Sequence, residues 1–209
     1  MWLAPDVHAA KLGQDVVLLD ADGGSYFCLA GGAASFDAVP PWRLNDADLA
    51  HELLEAGLAS PYERAVEPLP ERAVHDLACP PAALSGRIVG DGAKAYGVAL
   101  RHYYRRRFRQ ILAYARSARR TPTPCEACPD LARAVAAFRL LLPLAPFPGL
   151  CFFRSFLLLA FLRQAGLEAT WMFGVKTWSF EAHCWLQVGD TVLDDRAERL
   201  VLYTPILAV

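Results

Sequence analysis

Pro148-Gly149-Leu150-Cys151-Phe152-Phe153-Arg154-Ser155 opens an apolar run that continues to Gln164, and two blocks follow it: Glu181-Ala182-His183-Cys184-Trp185 and Val192-Leu193-Asp194-Asp195. The order is thiol, imidazole, carboxylate. A thiol attacks a carbonyl only as the thiolate, and both a helix N-terminus and a neighbouring imidazolium favour that anion. Pro148 and Gly149 can break a preceding helix. The run from Leu150 to Gln164 has the length and apolar content of a buried helix, with Gly166 placed as its stop. The pattern predicts Cys151 in the first turn of that helix.

Beyond Gly166, residues Ala169 to Val175 and Glu181 to Val188 are short and rich in apolar or aromatic side chains. Lys176-Thr177-Trp178-Ser179 separates them, and Gly189-Asp190 leads to Thr191 to Leu193. These are strand signals with hairpin turns. The period of two puts His183, Trp185 and Gln187 on one face and Cys184, Leu186 and Val188 on the other, which predicts different roles for His183 and Cys184. A helix carrying the thiol can then pack on a sheet carrying the base and its carboxylate. Alternation does not choose between Asp194 and Asp195.

Bulk properties narrow the class. The chain has 209 residues, 55% of them hydrophobic, with mean hydropathy +0.22 and net charge −1. That composition calls for a well-buried core or an apolar surface facing a partner. Met1-Trp2-Leu3-Ala4-Pro5-Asp6 lacks the basic start and continuous apolar stretch of a signal peptide. The apolar run near Leu150 to Leu162 is interrupted by Arg154 and Ser155 and is shorter than the roughly 20 residues that cross a bilayer. The expectation is a cytoplasmic protein with no membrane partner, in which the six cysteines form no disulfide scaffold. Cys125-Glu126-Ala127-Cys128 has no second pair to complete a zinc site, so no metal is expected. No glycine-rich phosphate loop followed by Lys-Ser or Lys-Thr is present, so no nucleotide is expected on this chain.

Charge is distributed unevenly. Residues 1–80 carry 13 acidic and 4 basic side chains, and residues 81–120 carry 10 basic and one acidic. The two stretches can attract each other or different partners. The N-terminal part alternates β-favouring runs with turns: Val7 to Leu12, Asp15 to Leu19 and Ser25 to Leu29, a small antiparallel meander. Helical patterning follows over Ala33 to Val39 and Asp46 to Ala56. The second helix has Asn45 or Asp46 as cap, Leu49, Leu53 and Leu54 on one side, and Gly57 at its end. Three strands followed by helices outline a winged-helix-like module over residues 1–65. Its acidity would repel phosphates, so nucleic acid is not an expected partner. Pro61, Pro68, Pro70, Pro80 and Pro81 mark residues 66–90 as a linker to a second domain over 91–209. Within that domain a long arginine-rich helix is expected over Ala93 to Arg120, and another over Leu131 to Leu142. His8, His51, His75 and His102 lie in no comparable context.

Cys-x-x-Arg-Ser at 151–155, Gly166-Leu167, Phe173-Gly174-Val175, the His-x-Trp at 183–185 and an aspartate just after the next strand together resemble the transglutaminase-like cysteine protease of lasso-peptide biosynthesis, the B protein, over roughly residues 130 to 205. The resemblance implies an α+β chain in which the N-terminal module precedes a transglutaminase/papain-like cysteine protease domain. It implies Cys151 as nucleophile, His183 as base and Asp195 as its orienter, with Asp194 a turn or cap residue. Lasso B proteins of one lineage carry a fused precursor-recognition element. By that likeness an extended leader peptide would add as a strand beside Ser25 to Leu29, with Tyr26, Phe27 and Cys28 as contacts. The substrate would be a lasso-peptide precursor, and the partner an asparagine-synthetase-like cyclase that alone would use ATP. Such proteins often have alanine after the histidine, where this chain has Cys184. Two alternatives keep the same residues: an acyl transferase, in which an amine resolves the thioester, and a noncatalytic adaptor that presents the precursor to the cyclase.

Overall fold

The N-terminal meander is held by a strand buried on both of its faces. In the computed structural model, which describes residues 1–103, 107–117, 128–145 and 150–209, a short β1 (Trp2–Leu3) precedes β2 (Val7–Leu12), β3 (Asp15–Asp20) and β4 (Ser25–Leu29). The last three form an antiparallel sheet in the order β2-β3-β4, with Val17 opposite both Ala10 and Cys28. Val16 and Leu18 of β3 join Val7, Ala9, Phe36, Ala50 and Leu53 in a small core. Val17 and Leu19, one residue out of phase, join the main core with Phe153 and Phe156. Alternation therefore sorts one strand between two cores, and β3 reads as a continuous apolar run for that reason.

The module has one α-helix, α1 (Ala47–Glu55). Asp46 caps it, its carboxylate accepting from the backbone N–H of Asp48 and Leu49 at 3.0 and 3.1 Å. Gly57 ends it in the left-handed region at φ +74°. The buried stripe is Ala50 and Leu53; Leu49 is half-buried and Leu54 is 37% exposed, so the expected Leu49–Leu53–Leu54 face is displaced. The helix expected over Ala33 to Val39 is only a single 3-10 turn at Gly32–Ser35. Phe36 is extended and bridges to Leu44, and Pro40-Pro41, which lack amide donors, follow. β5 (Ala59–Ser60) pairs with β1 and closes the module.

The 66–90 segment differs from the linker that its prolines suggest. Within it β6 (His75–Asp76) pairs in parallel with a strand of the C-terminal sheet. Ala73 and Leu77 are buried, and Glu71 O accepts from Gln187 Nε2 at 2.8 Å. The prolines stand at 68, 70, 80 and 81, so the stretch between them keeps its backbone donors, and Val74, His75 and Leu77 donate to the carbonyls of Asp190 and Val192.

The arginine-rich region starts earlier than expected, with α2 (Gly86–Tyr103), followed by α3 (Phe108–Ser117). Arg105, Arg106, Arg119, Arg120, Cys125 and Pro146 to Gly149 lie outside the described residues. Among the described residues one ion pair joins the acidic and basic stretches, Arg109 to Asp22 at 3.1 Å, and its exposure leaves it worth little. α4 (Pro129–Leu141) lies close to the Leu131–Leu142 reading. α5 (Cys151–Gln164) is apolar on all sides, and every residue from Ser155 to Leu162 is buried. It packs on α2, α4 and the sheet. Each fully buried Leu or Phe there contributes about 1.5–3 kcal/mol, enough to hold a helix with no amphipathic stripe.

The C-terminal sheet has five strands in the order β10-β7-β8-β9-β6: β7 (Thr170–Lys176), β8 (Glu181–Val188), β9 (Thr191–Val192), then α6 (Ala197–Leu200) and β10 (Thr204–Ala208). Gly174 on β7 is required by close approach, because a Cβ there would lie 2.9 Å from the Trp185 ring. One face meets α5 through Trp171, Phe173, Cys184 and Leu186; the other holds Met172, Trp185, Leu200 and Tyr203. β10 also contacts β2. Among the described residues, no helix is long and apolar enough to cross a membrane.

Candidate active site

Cys151 is the first residue of α5. Leu150 ahead of it provides no side-chain cap, so the first-turn amides remain available to an anion at the positive end of the helix. Ser155, one turn on, donates its hydroxyl to the Cys151 carbonyl at 2.7 Å and accepts from the indole N–H of Trp171 at 2.9 Å. The start of the helix is thereby fixed to β7.

His183 occupies the face of β8 that the alternation assigns. Its ring lies beside Trp185 and Tyr203, with centroids 6.2 and 5.0 Å away. Its Nε2 is 2.5 Å from Asp195 Oδ2. Asp195 follows β9 and precedes α6; its Oδ1 accepts from the Arg196 N–H at 2.8 Å, and Arg154 and Arg199 approach Oδ2 at 3.7 and 3.8 Å. Cys184 projects to the α5 side and is 2% exposed. The faces are as expected, yet both residues bear on the thiol: Cys151, His183 and Cys184 line one cavity, and Cys184 and His183 both lower the Cys151 value. The thiol at the helix start meets the two neighbouring side chains of β8 together.

The electrostatics follow from these contacts. Hydrogen bonds from Cys184 and then His183 outweigh burial and draw the Cys151 thiol down to about 4. Burial acts to lower the His183 value, but hydrogen bonds with Asp195 and Cys151 raise it to about 9. Burial also opposes ionisation of Asp195, and its hydrogen bond to His183 overcomes this and holds it below the usual carboxylate value. Cys184 is pushed well above an ordinary thiol, by burial first and by the Cys151 sulfur second. The resting arrangement is a Cys151 thiolate beside a His183 imidazolium, with Asp195 ionised behind the ring and Cys184 protonated.

Asp194 lies in the bend after β9, but its side chain does more than the turn or cap residue that the resemblance implies. It is buried, its Oδ1 accepts from the Leu186 N–H at 2.8 Å, and its Oδ2 lies 3.8 Å from Arg154 Nε. Burial raises it to about 6. The chain leaves β9 with Asp194 turned into the protein and Asp195 turned to the histidine, which alternation alone does not reveal. Arg154 is legible afterwards as the residue three positions from Cys151, on the same side of the helix. The Cys184 contact gives no local sequence signal.

A cavity of about 310 Å³ opens at the thiol, lined by Tyr26, Phe108, Cys151, Phe152, Phe173 and His183 among others. Tyr26 is the only residue of the three expected leader contacts that reaches it. Phe27 lies on the opposite face of β4 and is 42% exposed, and Cys28 is exposed on the Tyr26 side of the strand. No second strand pairs with the outer edge of β4 among the described residues. Among those residues, no group of three or more His, Cys, Asp or Glu could hold a metal ion.

The family model described as the transglutaminase-like superfamily matches residues 93–208, more than half of the 209-residue chain. No curated protein and no solved structure matches the chain. A domain of this kind fits a cysteine peptidase or an acyl transferase. With α5, the β7–β8 hairpin and β10 all inside the matched span, the chain belongs to the transglutaminase-like superfamily.

Proposed function

We propose that the protein is a maturation protease that removes the leader from a lasso-peptide precursor, using Cys151, His183 and Asp195. The Cys151 thiolate attacks the carbonyl at the leader–core junction, and the backbone N–H of Cys151 at the start of α5 is the first donor to the developing oxyanion. His183 protonates the departing core amine, and the leader remains as a thioester on Cys151. Water, deprotonated by His183, then releases the leader acid and restores the thiol. Asp195 holds the imidazole and favours its charged form.

Residues 1–65 act as the recognition module. A leader segment adds as a strand along the outer edge of β4, and its backbone N–H and C=O groups supply the hydrogen bonds. The observation that carries this reading is Tyr26: a residue of that edge strand shares the cavity with Cys151. A peptide bound along β4 is therefore led to the thiol. The freed core passes to an asparagine-synthetase-like cyclase, which uses ATP; this chain acts in the cytoplasm without a cofactor of its own.

The test is mass spectrometry of a candidate precursor incubated with wild type and with Cys151→Ala, each with and without the cyclase and ATP. A single cut releasing intact leader, lost in the variant, is the expected result. A leader–amine adduct in place of leader acid would assign the protein as an acyl transferase instead. Processing that survives Cys151→Ala would make it an adaptor.

A further inference from the structure

Cys184 has no place in the thioester mechanism just described, although it lines the cavity of the sulfur that performs it and contacts the Ser155 hydroxyl that holds the Cys151 carbonyl. Three observations place its proton. The indole N–H of Trp171 can only donate, and it lies 2.9 Å from Ser155 Oγ. The Cys151 carbonyl can only accept, and it lies 2.7 Å from the same oxygen. Ser155 is fully buried and has one proton, so that proton goes to the carbonyl. The contact between Ser155 Oγ and Cys184 Sγ at 3.4 Å therefore makes Cys184 the donor of the pair, and the Cys151 sulfur, which lines the same cavity, is the second acceptor its S–H can turn to. A hydrogen bond to an anion is stronger than one to a hydroxyl that already accepts another donor.

We propose that Cys184 is a further catalytic residue: its thiol donates a hydrogen bond to the Cys151 thiolate and returns to Ser155 when the sulfur is acylated. The nucleophile is then held by an imidazolium on one side and a neutral thiol on the other. Once the thioester forms, the sulfur is a poor acceptor, and Ser155 accepts the Cys184 proton so that the buried donor is not left unsatisfied. Two thiols side by side are thus kept in opposite protonation states, and only one of them is a nucleophile.

The proposal rests on Cys151 being the nucleophile and is independent of which peptide is cut. The titratable groups that line the cavity around Cys151 are His183 and Cys184 of β8, Tyr26 of β4 and Tyr103 of α2. The experiment is the pH profile of Cys151 alkylation by iodoacetamide, followed at the Cys151 peptide by mass spectrometry, in wild type, Cys184→Ala and Cys184→Ser. Removing one hydrogen bond to a charged group should raise the midpoint in Cys184→Ala by about one to two pH units, and Cys184→Ser, which keeps a donor, should recover at least half of that shift. Thermal melts of each variant establish that it is folded. A midpoint in Cys184→Ala equal to wild type overturns the proposal, and so does a serine variant as shifted as the alanine one, since the effect would then follow from packing. Alkylation needs no precursor, so an uncut precursor with a low, Cys184-dependent midpoint would remove the lasso substrate and leave this inference in place.

Discussion

The two larger sheets of this protein both pack on both faces, but they differ at their edges. In the C-terminal sheet β7 and β8 are internal, and the outer strand β10 contacts β2 of the other sheet. The N-terminal sheet ends at β4, which among the described residues has a strand neighbour on one side only. The proposed chemistry lies beside the enclosed strand β8, whose His183 meets Asp195 and shares a cavity with Cys151 at the start of α5. The unpaired backbone lies with the edge strand, where a peptide has something to bind. Precision in one sheet and availability in the other come from the same alternation, spent differently.

Substitutions can separate the two. The largest effect should come from Cys151→Ala, which removes the thioester route and should lower leader cleavage by about 10³-fold or more, while binding of a leader peptide measured by calorimetry stays as in wild type. If leader binding fell as well, the enclosed site would itself be part of the recognition surface.

Next is the pH profile of cleavage. The thiolate is lost as pH falls through about 4 and the imidazolium as pH rises through about 9, so kcat/KM should be bell-shaped between those limits and fall about tenfold per pH unit outside them. A neutral thiol–imidazole resting pair would give a rise near pH 6 to 7 instead.

Phe156→Ala tests whether the two sheets share one core. Phe156 packs in the cluster that also holds Val17 and Leu19 of β3, so a loss of about 3–5 kcal/mol is expected in chemical denaturation. It should appear as a single transition with the same midpoint for near-ultraviolet and far-ultraviolet signals; two separated transitions would break the comparison.

Asp194→Asn has a smaller, pH-dependent effect. The folded-state value of Asp194 is raised to about 6, above that of an unfolded aspartate, so the folded protein holds the proton more tightly between the two. Its contribution to stability is complete below about pH 4 and is lost as pH rises through 6, on the order of 2–3 kcal/mol. Asparagine keeps an acceptor for the Leu186 N–H and should flatten that slope in melts taken from pH 4 to 7.

The smallest effect on stability belongs to the edge. Phe27→Glu, at an exposed position on β4, should change stability by less than about 0.5 kcal/mol. Leader binding should weaken and KM rise, with kcat unchanged. A matching fall in kcat would mean that β4 contributes to the chemical step.

How much of this was readable in the sequence depends on whether one element or several decide it. The helix at Cys151, the β8 faces, the meander and a cap at Asn45 or Asp46 follow from period, caps and turns within single segments. β6 did not, because two residues in a proline-rich segment carry no periodicity and their partner β9 is over a hundred positions away. The Ala33 to Val39 helix failed because Phe36 and Leu44 bridge across Pro40-Pro41, a non-local contact that outweighs local helical patterning. Of the site, Cys151 and His183 fall where helix start and strand alternation put them, and the approach of Asp195 to His183 agrees with the place the resemblance gave it. The burial of Asp194 and the contact of Cys184 with Cys151 depend on how a helix end meets a strand, and neither is encoded in a local pattern.

Val17 and Leu19 of β3 are embedded in the same core as α5, which joins β4, through β3, to the helix that carries Cys151. In the proposed reaction such a join works as a ruler. A leader anchored along β4 presents to the thiol whichever bond lies one fixed span further along the peptide, so the cut is placed by counting residues from the anchor as well as by the side chains around the bond. Inserting or deleting residues between the anchor and the junction should then abolish cleavage or move it, even when the residues flanking the bond are untouched.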